Sequence, residues 1–133
     1  MTQTRVQPLS RSKAGVYLNR AQNLLRAMEL AEKEANPDGV ATSAVQAAIA
    51  LGDAYTIHFR QERCRGQDHH EVLALVARCN TPNKGEVSSA LSRILARKSE
   101  VEYQDRAVTL KDAQELAKWV RGLDSLVRGD LQG

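Results

Sequence analysis

Residues 40–60 read VATSAVQAAIALGDAYTIHFR, and this stretch decides the fold. Small and aliphatic residues occupy nearly every face of a helix formed by it, which is typical of a central helix that contacts several neighbours. Its many alanines allow adjacent helices to approach closely. Asp53 and His58 are the polar exceptions, and His58 is expected to pack against or cap the end of the helix. The pattern predicts a buried helix at the centre of a helical domain.

Four amphipathic segments flank this helix, and each has apolar residues at spacings of three and four. The turn at residues 36–39 separates the first segment from the central helix. In the last three segments an acidic residue stands three positions after the expected N-cap, as in a capping box. The expected starts are Ser12 for the first segment, then Asp68 with Glu71, Asn83 with Glu86, and Thr109 with Asp112.

Short connections between amphipathic helices predict antiparallel neighbours. The expected fold class is therefore all-α, an up-and-down antiparallel bundle of four to five helices. With 42% hydrophobic but only 4% aromatic residues, the composition favours helices over a β-sandwich. We expect one domain over residues 12–129, a flexible N-terminal segment over 1–11 and a C-terminal tail over 130–133.

The charge balance is mildly basic, with a formal net charge of +3, which permits an acidic partner such as RNA. No apolar run approaches the roughly 18 residues of a membrane span. The N-terminus carries Arg5, Arg11 and Lys13 without an apolar core, so we expect no signal peptide and a cytoplasmic protein. A helical separation of roughly 15–20 Å makes a bond between Cys64 and Cys79 improbable, and both are expected to be reduced.

Several motifs that carry chemistry are missing from the sequence. It has no phosphate-binding G-x-x-x-x-G-K or G-x-G-x-x-G, no G-x-S-x-G, no H-E-x-x-H and no paired C-x-x-C. These absences predict neither a cofactor nor a metal site.

The three histidines lie close together with several arginines after the central helix. We name the candidate site residues the basic turn: Arg60, Arg63, Arg65, His69 and His70. One interpretation is a solvated loop followed by a helix start that Asp68 caps. A second is anion binding, in which the arginines and the helix amides hold a phosphate. A third is a metal bound by the histidines and Cys64, which is disfavoured because adjacent helical residues point about 100° apart.

Three other groups have structural interpretations that compete with functional ones. Asp53 and Glu71 are carboxylates on neighbouring helices, but capping explains Glu71, and Asp53 is expected to pair with a basic residue. The run of Arg93, Arg97 and Lys98 is expected to be a solvated face, with support of a phosphate backbone as the alternative. Trp119 is expected to be core or interface rather than a platform for base stacking.

Part of the sequence resembles the HEPN domain, whose name stands for higher eukaryotes and prokaryotes nucleotide-binding. The resemblance lies in residues 47–55 (AAIALGDAY), the basic turn and residues 66–73 (GQDHHEVL). Residues 97–103 (RKSEVEY) and 109–127 resemble the arm and last long helix of that family. The similarity extends over about residues 12 to 128. It implies a bundle of four to five helices that is often dimeric.

Some members of the HEPN family are metal-independent ribonucleases and toxins, some pair with a nucleotidyltransferase, and others are non-catalytic binding modules. The nucleases use an R-x(4–6)-H motif, and its spacing is met by Arg63 with His69 or His70, and by Arg65 with His70. Histidine would act as a general acid or base while arginine stabilises the phosphorane. In those nucleases the motif usually lies at the last long helix, and residues 109–128 contain no histidine here.

The resemblance leaves three functional hypotheses. The leading one is a HEPN-like module that binds a nucleotide, RNA or a protein partner through the basic turn and is not itself an efficient enzyme. The alternative is a ribonuclease toxin with Arg63, Arg65, His69 and His70 as catalytic candidates at a dimer interface. The third is a purely structural dimerisation protein. The expected partners are RNA or a nucleotide, a nucleotidyltransferase or antitoxin, and a second copy of the chain.

Overall fold

Five α-helices and a two-stranded ribbon form the described part of the chain, residues 6–65 and 70–133 of a computed structural model. The helices are α1 (Ala14–Lys33), α2 (Pro37–Arg60), α3 (His70–Ala77), α4 (Lys84–Tyr103) and α5 (Leu110–Gln132). The strands are β1 (Val6–Pro8) and β2 (Glu62–Cys64). The all-α prediction is confirmed. Within the described ranges, no helix has the length and apolar character needed to cross a membrane.

Helix α2 is the centre of the bundle, as residues 40–60 predict. It contacts each of the other four helices, and its alanines at 44, 47, 48 and 54 are fully buried. The helix begins where the Asn36 side chain accepts a hydrogen bond from the Gly39 amide at 3.1 Å, with Pro37 in the first helical turn. This arrangement satisfies a free amide and uses a residue whose fixed φ suits a helix start.

Helices α1 and α2 are antiparallel, as are α4 and α5, and the bundle has two distinct ends. Near the start of α2, Pro37 lies beside Leu110 at the start of α5, and near the end of α2, Tyr55 bonds to Asp130 at the end of α5. Helix α5 therefore runs in the same direction as α2, while α1 and α4 run in the opposite direction. The end of α2, both strands, α3 and the starts of α1 and α4 thus lie at one end of the bundle.

The ribbon changes the expected N-terminal boundary. Residues 6–8, in the segment expected to be flexible, pair antiparallel with β2, with Val6 opposite Cys64 and Pro8 opposite Glu62. Gln61 ends α2 in the left-handed region, at φ 53°. This conformation turns the chain out of the helix, so that residues 62–64 present an open backbone edge to β1.

The C-terminal boundary also differs from the sequence expectation. Gly129 does not end the last helix, because α5 continues to Gln132 and Asp130 is only 7% exposed. The carboxylate of Asp130 accepts hydrogen bonds from the Tyr55 hydroxyl (2.7 Å) and the Asn83 side-chain amide (2.8 Å). These bonds hold the last turn of α5 against the bundle. The expected tail over 130–133 is therefore part of the domain.

The predicted helix starts have different outcomes. The capping box at Thr109 is confirmed, since the Thr109 hydroxyl and the Asp112 carboxylate each accept the other residue's amide at 3.0 Å. The box at Asn83 is wrong, because that side chain makes no cap bond and donates to Asp130 instead. The first helix begins at Ala14, after a 3₁₀ turn at Arg11–Lys13. The start expected at Asp68 lies outside the described residues.

Both cysteines are buried and unbridged. The Cys79 thiol lies 3.7 Å from the Leu75 carbonyl oxygen, to which it donates. Burial raises the pKa of Cys79 to about 11. Cys79 is therefore a protonated packing residue at neutral pH.

Candidate anion-binding site

Arg60 opens the basic turn, and its charge is engaged within the chain. One terminal guanidinium nitrogen donates to the Arg78 carbonyl at 3.3 Å, and the other pairs with Glu62 at 3.2 Å. Arg60 therefore joins the end of α2 to the end of α3. Its role is structural, although the sequence places it among the anion-binding candidates.

Arg63 on β2 is held against α1 and α2. Its Nε donates to the Asp53 carboxylate at 3.3 Å, and its guanidinium lies 5.2 Å from the centre of the Tyr17 ring. Arg20 lies over the same ring at 4.8 Å. Asp53 is only 5% exposed, and this burial raises its pKa to about 6 despite the opposing effect of Arg63. The expected pairing of Asp53 with a basic residue is confirmed, and the partner is Arg63.

Arg65 and His70 differ from the first two arginines because both are exposed. Arg65 follows β2, and His70 is the first residue described in α3. His69 lies outside the described residues. Two arginines meet the R-x(4–6)-H spacing. Arg63 forms an ion pair with Asp53, whereas Arg65 is exposed to solvent. Glu71 lies near Cys64, whose thiol donates to it at 3.5 Å, rather than meeting Asp53.

A cleft that the sequence does not indicate lies where the start of α1 meets the ends of α2 and α5. It has a volume of about 560 Å³ and is lined in part by Arg11, Leu18, His58, Arg128 and Leu131. The pKa of His58 is lowered because burial disfavours the charged imidazolium and Arg11 repels it. No local pattern predicts this site, because its residues come from three separate segments and meet only in the folded chain.

The second basic run, Arg93 to Lys98, bonds mainly to the protein itself. One guanidinium nitrogen of Arg97 contacts both Asp112 (3.1 Å) and Glu115 (3.0 Å), and Lys98 pairs with Glu102. Arg93 and Arg97 also lie over the Trp119 ring, at 5.4 and 4.9 Å. These contacts join α4 to α5, so the run does not form the free cationic face that a phosphate backbone needs.

The two ends of the bundle differ in charge. We name as the basic end the one that carries Arg11, Lys13, Arg60, Arg63, Arg65, Arg78, Lys84 and Arg128. The opposite end, at the α1–α2 and α4–α5 connections, carries the exposed carboxylates of Glu32, Glu34, Asp38, Glu100, Glu102 and Asp105. Each end also carries opposite charges, such as Glu86 at the basic end and Lys33 and Lys111 at the other, so the fold segregates charge only in part.

Five exposed cations of the basic end make no ion pair among the described residues: Arg11, Lys13, Arg65, Arg78 and Lys84. Three carboxylates near these cations already have basic partners in the chain, whereas Glu86 at the start of α4 is exposed. Glu62 is bound to Arg60, Asp53 to Arg63 and Asp124 to Arg128. A surface with uncompensated positive charge results, and it attracts anions.

A metal centre finds no support in the part of the chain that the structure describes, where no three His, Cys, Asp or Glu side chains converge. Comparison with protein-family models, curated proteins and solved structures finds no match to this chain.

Proposed function

We propose that this chain is a HEPN-like helical module that binds the phosphates of RNA or a nucleotide at its basic end. The observation that carries the proposal is the cluster of exposed cations there that make no ion pair within residues 6–65 and 70–133, set against an opposite end with six exposed carboxylates. Phosphate contacts by Arg and Lys supply most of the affinity of sequence-independent binding to nucleic acid. Of the arginines in the basic turn, Arg65 is the one that contributes directly.

The engaged arginines support the site without contacting the ligand. Arg63 ties β2 to Asp53 on α2, and Arg60 ties the end of α2 to Arg78. Together they hold Arg65 and the start of α3 beside the ribbon. Because a guanidinium committed to a buried carboxylate is costly to withdraw, Arg63 acts as a positioning residue.

Reversing the charge at Arg65 should weaken RNA binding. We expect Arg65→Glu to reduce the affinity for a short single-stranded RNA by roughly tenfold at low salt, since a phosphate contact becomes a repulsion. Fluorescence anisotropy of a labelled RNA measures the change. The matched control is Lys118→Glu, which alters the net charge equally at an exposed position in the first half of α5.

Equal losses in the two variants would show that only net charge matters and would contradict a site at the basic end. No binding by the wild-type chain, to RNA or to ATP, would refute the proposal altogether. In EDTA the RNA is expected to stay intact. Cleavage that disappears in His70→Ala would favour the ribonuclease alternative instead.

A further inference from the structure

The cleft at the end of the bundle combines charge with an apolar wall. Arg11 comes from the 3₁₀ turn before α1, His58 from the last turn of α2, and Arg128 from the last turns of α5. Leu18 and Leu131 form part of its apolar wall. A volume of about 560 Å³ falls within the range of roughly 300–1,000 Å³ that is typical of small-molecule sites.

The polar groups of the cleft favour an anion. No aspartate or glutamate lines it among the described residues. Arg11 makes no ion pair within the same ranges, whereas Arg128 uses Nε for Asp124 at 2.7 Å and one terminal nitrogen for Gln22 at 3.3 Å. The remaining terminal nitrogen of Arg128, the Arg11 guanidinium and the His58 imidazole are therefore available to a ligand.

We propose that this cleft binds a phosphate monoester of mononucleotide size, whose phosphate contacts Arg11, His58 and Arg128 while its body packs against Leu18 and Leu131. Arginine suits the phosphate because its planar fork donates two parallel hydrogen bonds. The leucines suit a ligand with an apolar face better than inorganic phosphate. This inference rests on the proposed function for the choice of phosphate as the anion.

His58 reports on occupancy of the cleft. The charged groups that face it are Arg11 from the 3₁₀ turn and Arg128 from α5, while the Phe59 ring packs beside it at 4.7 Å. Burial lowers the pKa of His58 in the free protein, and the charge of Arg11 lowers it further. A bound phosphate dianion would attract the imidazolium and so favour the charged form of His58. Binding should therefore move the midpoint of the His58 titration to higher pH.

The test uses AMP, adenosine and inorganic phosphate with the full chain. AMP should shift the His58 imidazole resonances in an NMR titration from pH 5 to 8, and the loss of those resonances in His58→Gln provides their assignment. We expect Arg11→Gln to weaken AMP binding by roughly tenfold, as for the loss of one charge-assisted hydrogen bond. The control is Arg26→Gln, at an exposed site in the middle of α1.

Adenosine should leave His58 unchanged, and inorganic phosphate should bind more weakly than AMP. Equal binding of inorganic phosphate and AMP would overturn the assignment to a monoester. Unchanged His58 resonances with AMP, or wild-type affinity in Arg11→Gln, would overturn the cleft as a site.

If RNA with a 5′-hydroxyl binds while AMP does not, the cleft proposal fails and the proposed function stands. If AMP binds while RNA does not, the cleft proposal stands and RNA binding at the basic end is refuted.

Discussion

Replacing Asp130 with alanine should lower the free energy of unfolding by about 3 to 4 kcal/mol. The carboxylate accepts hydrogen bonds from the Tyr55 hydroxyl at 2.7 Å, the Asn83 backbone amide at 3.3 Å and the Asn83 side-chain amide at 2.8 Å. Tyr55 is fully buried and also bonds to Thr81. Removing the acceptor leaves the part-buried Asn83 donors unpaired and the Tyr55 hydroxyl with Thr81 alone, and each group left unsatisfied costs about 1–3 kcal/mol.

Urea denaturation followed by circular dichroism measures this loss, and two variants make it specific. Tyr55→Phe should cost about 1.5 kcal/mol, because it removes one donor and leaves the Asn83 bonds in place. Asp124→Ala removes a partly exposed helix pair with Arg128 and should cost less than about 1 kcal/mol. A loss in Asp130→Ala no larger than that of Asp124→Ala would show that the network does not hold the basic end together.

Asp53 should make the folded protein less stable as the pH rises from 4 to 7. Burial raises the pKa of this carboxyl from 3.8 to about 6, so the folded state retains a proton that the unfolded state releases. The stabilisation is complete below the unfolded pKa and is lost as the pH rises through the folded pKa. A shift of this size corresponds to about 3 kcal/mol.

The measurement compares the free energy of unfolding of the wild type and Asp53→Asn across that pH range. The asparagine stays neutral and still offers Arg63 an acceptor, so the variant should become more stable relative to the wild type by up to about 3 kcal/mol between pH 4 and 7. Asp105→Asn, at an exposed turn, serves as the matched control. A difference between Asp53→Asn and the wild type that is constant with pH would contradict the assigned role of burial.

The helices follow from the sequence because their signals are local. The apolar pattern of residues 40–60 predicts the central helix, and the Thr109 capping box needs only residues within one turn. Asn83 has the same local signal, yet its side chain bonds to Asp130, which lies 47 positions away. Pairing of β1 with β2 also depends on distant partners, which explains why local patterns predict a flexible segment where residues 6–8 form a strand.

The candidate site is less predictable than the fold for the same reason. The sequence identifies the basic turn as a place of concentrated charge and Asp53 as a group in need of a basic partner. It does not indicate that Arg63 is that partner, and that its guanidinium is therefore not available to bind a ligand. The sequence also gives no sign that Arg11 and Arg128 lie beside His58. They meet only because α1 and α5 pack against α2.

Mapping of an RNA titration on the amide NMR spectrum tests the central claim most directly. A short single-stranded RNA added to the labelled chain should perturb amides of the ribbon, the 3₁₀ turn at Arg11–Lys13 and the last turn of α2. The amides at the α1–α2 and α4–α5 connections should not move, because six exposed carboxylates lie at that end and repel phosphates. Perturbations centred on those connections, or none at saturating RNA, would contradict the account.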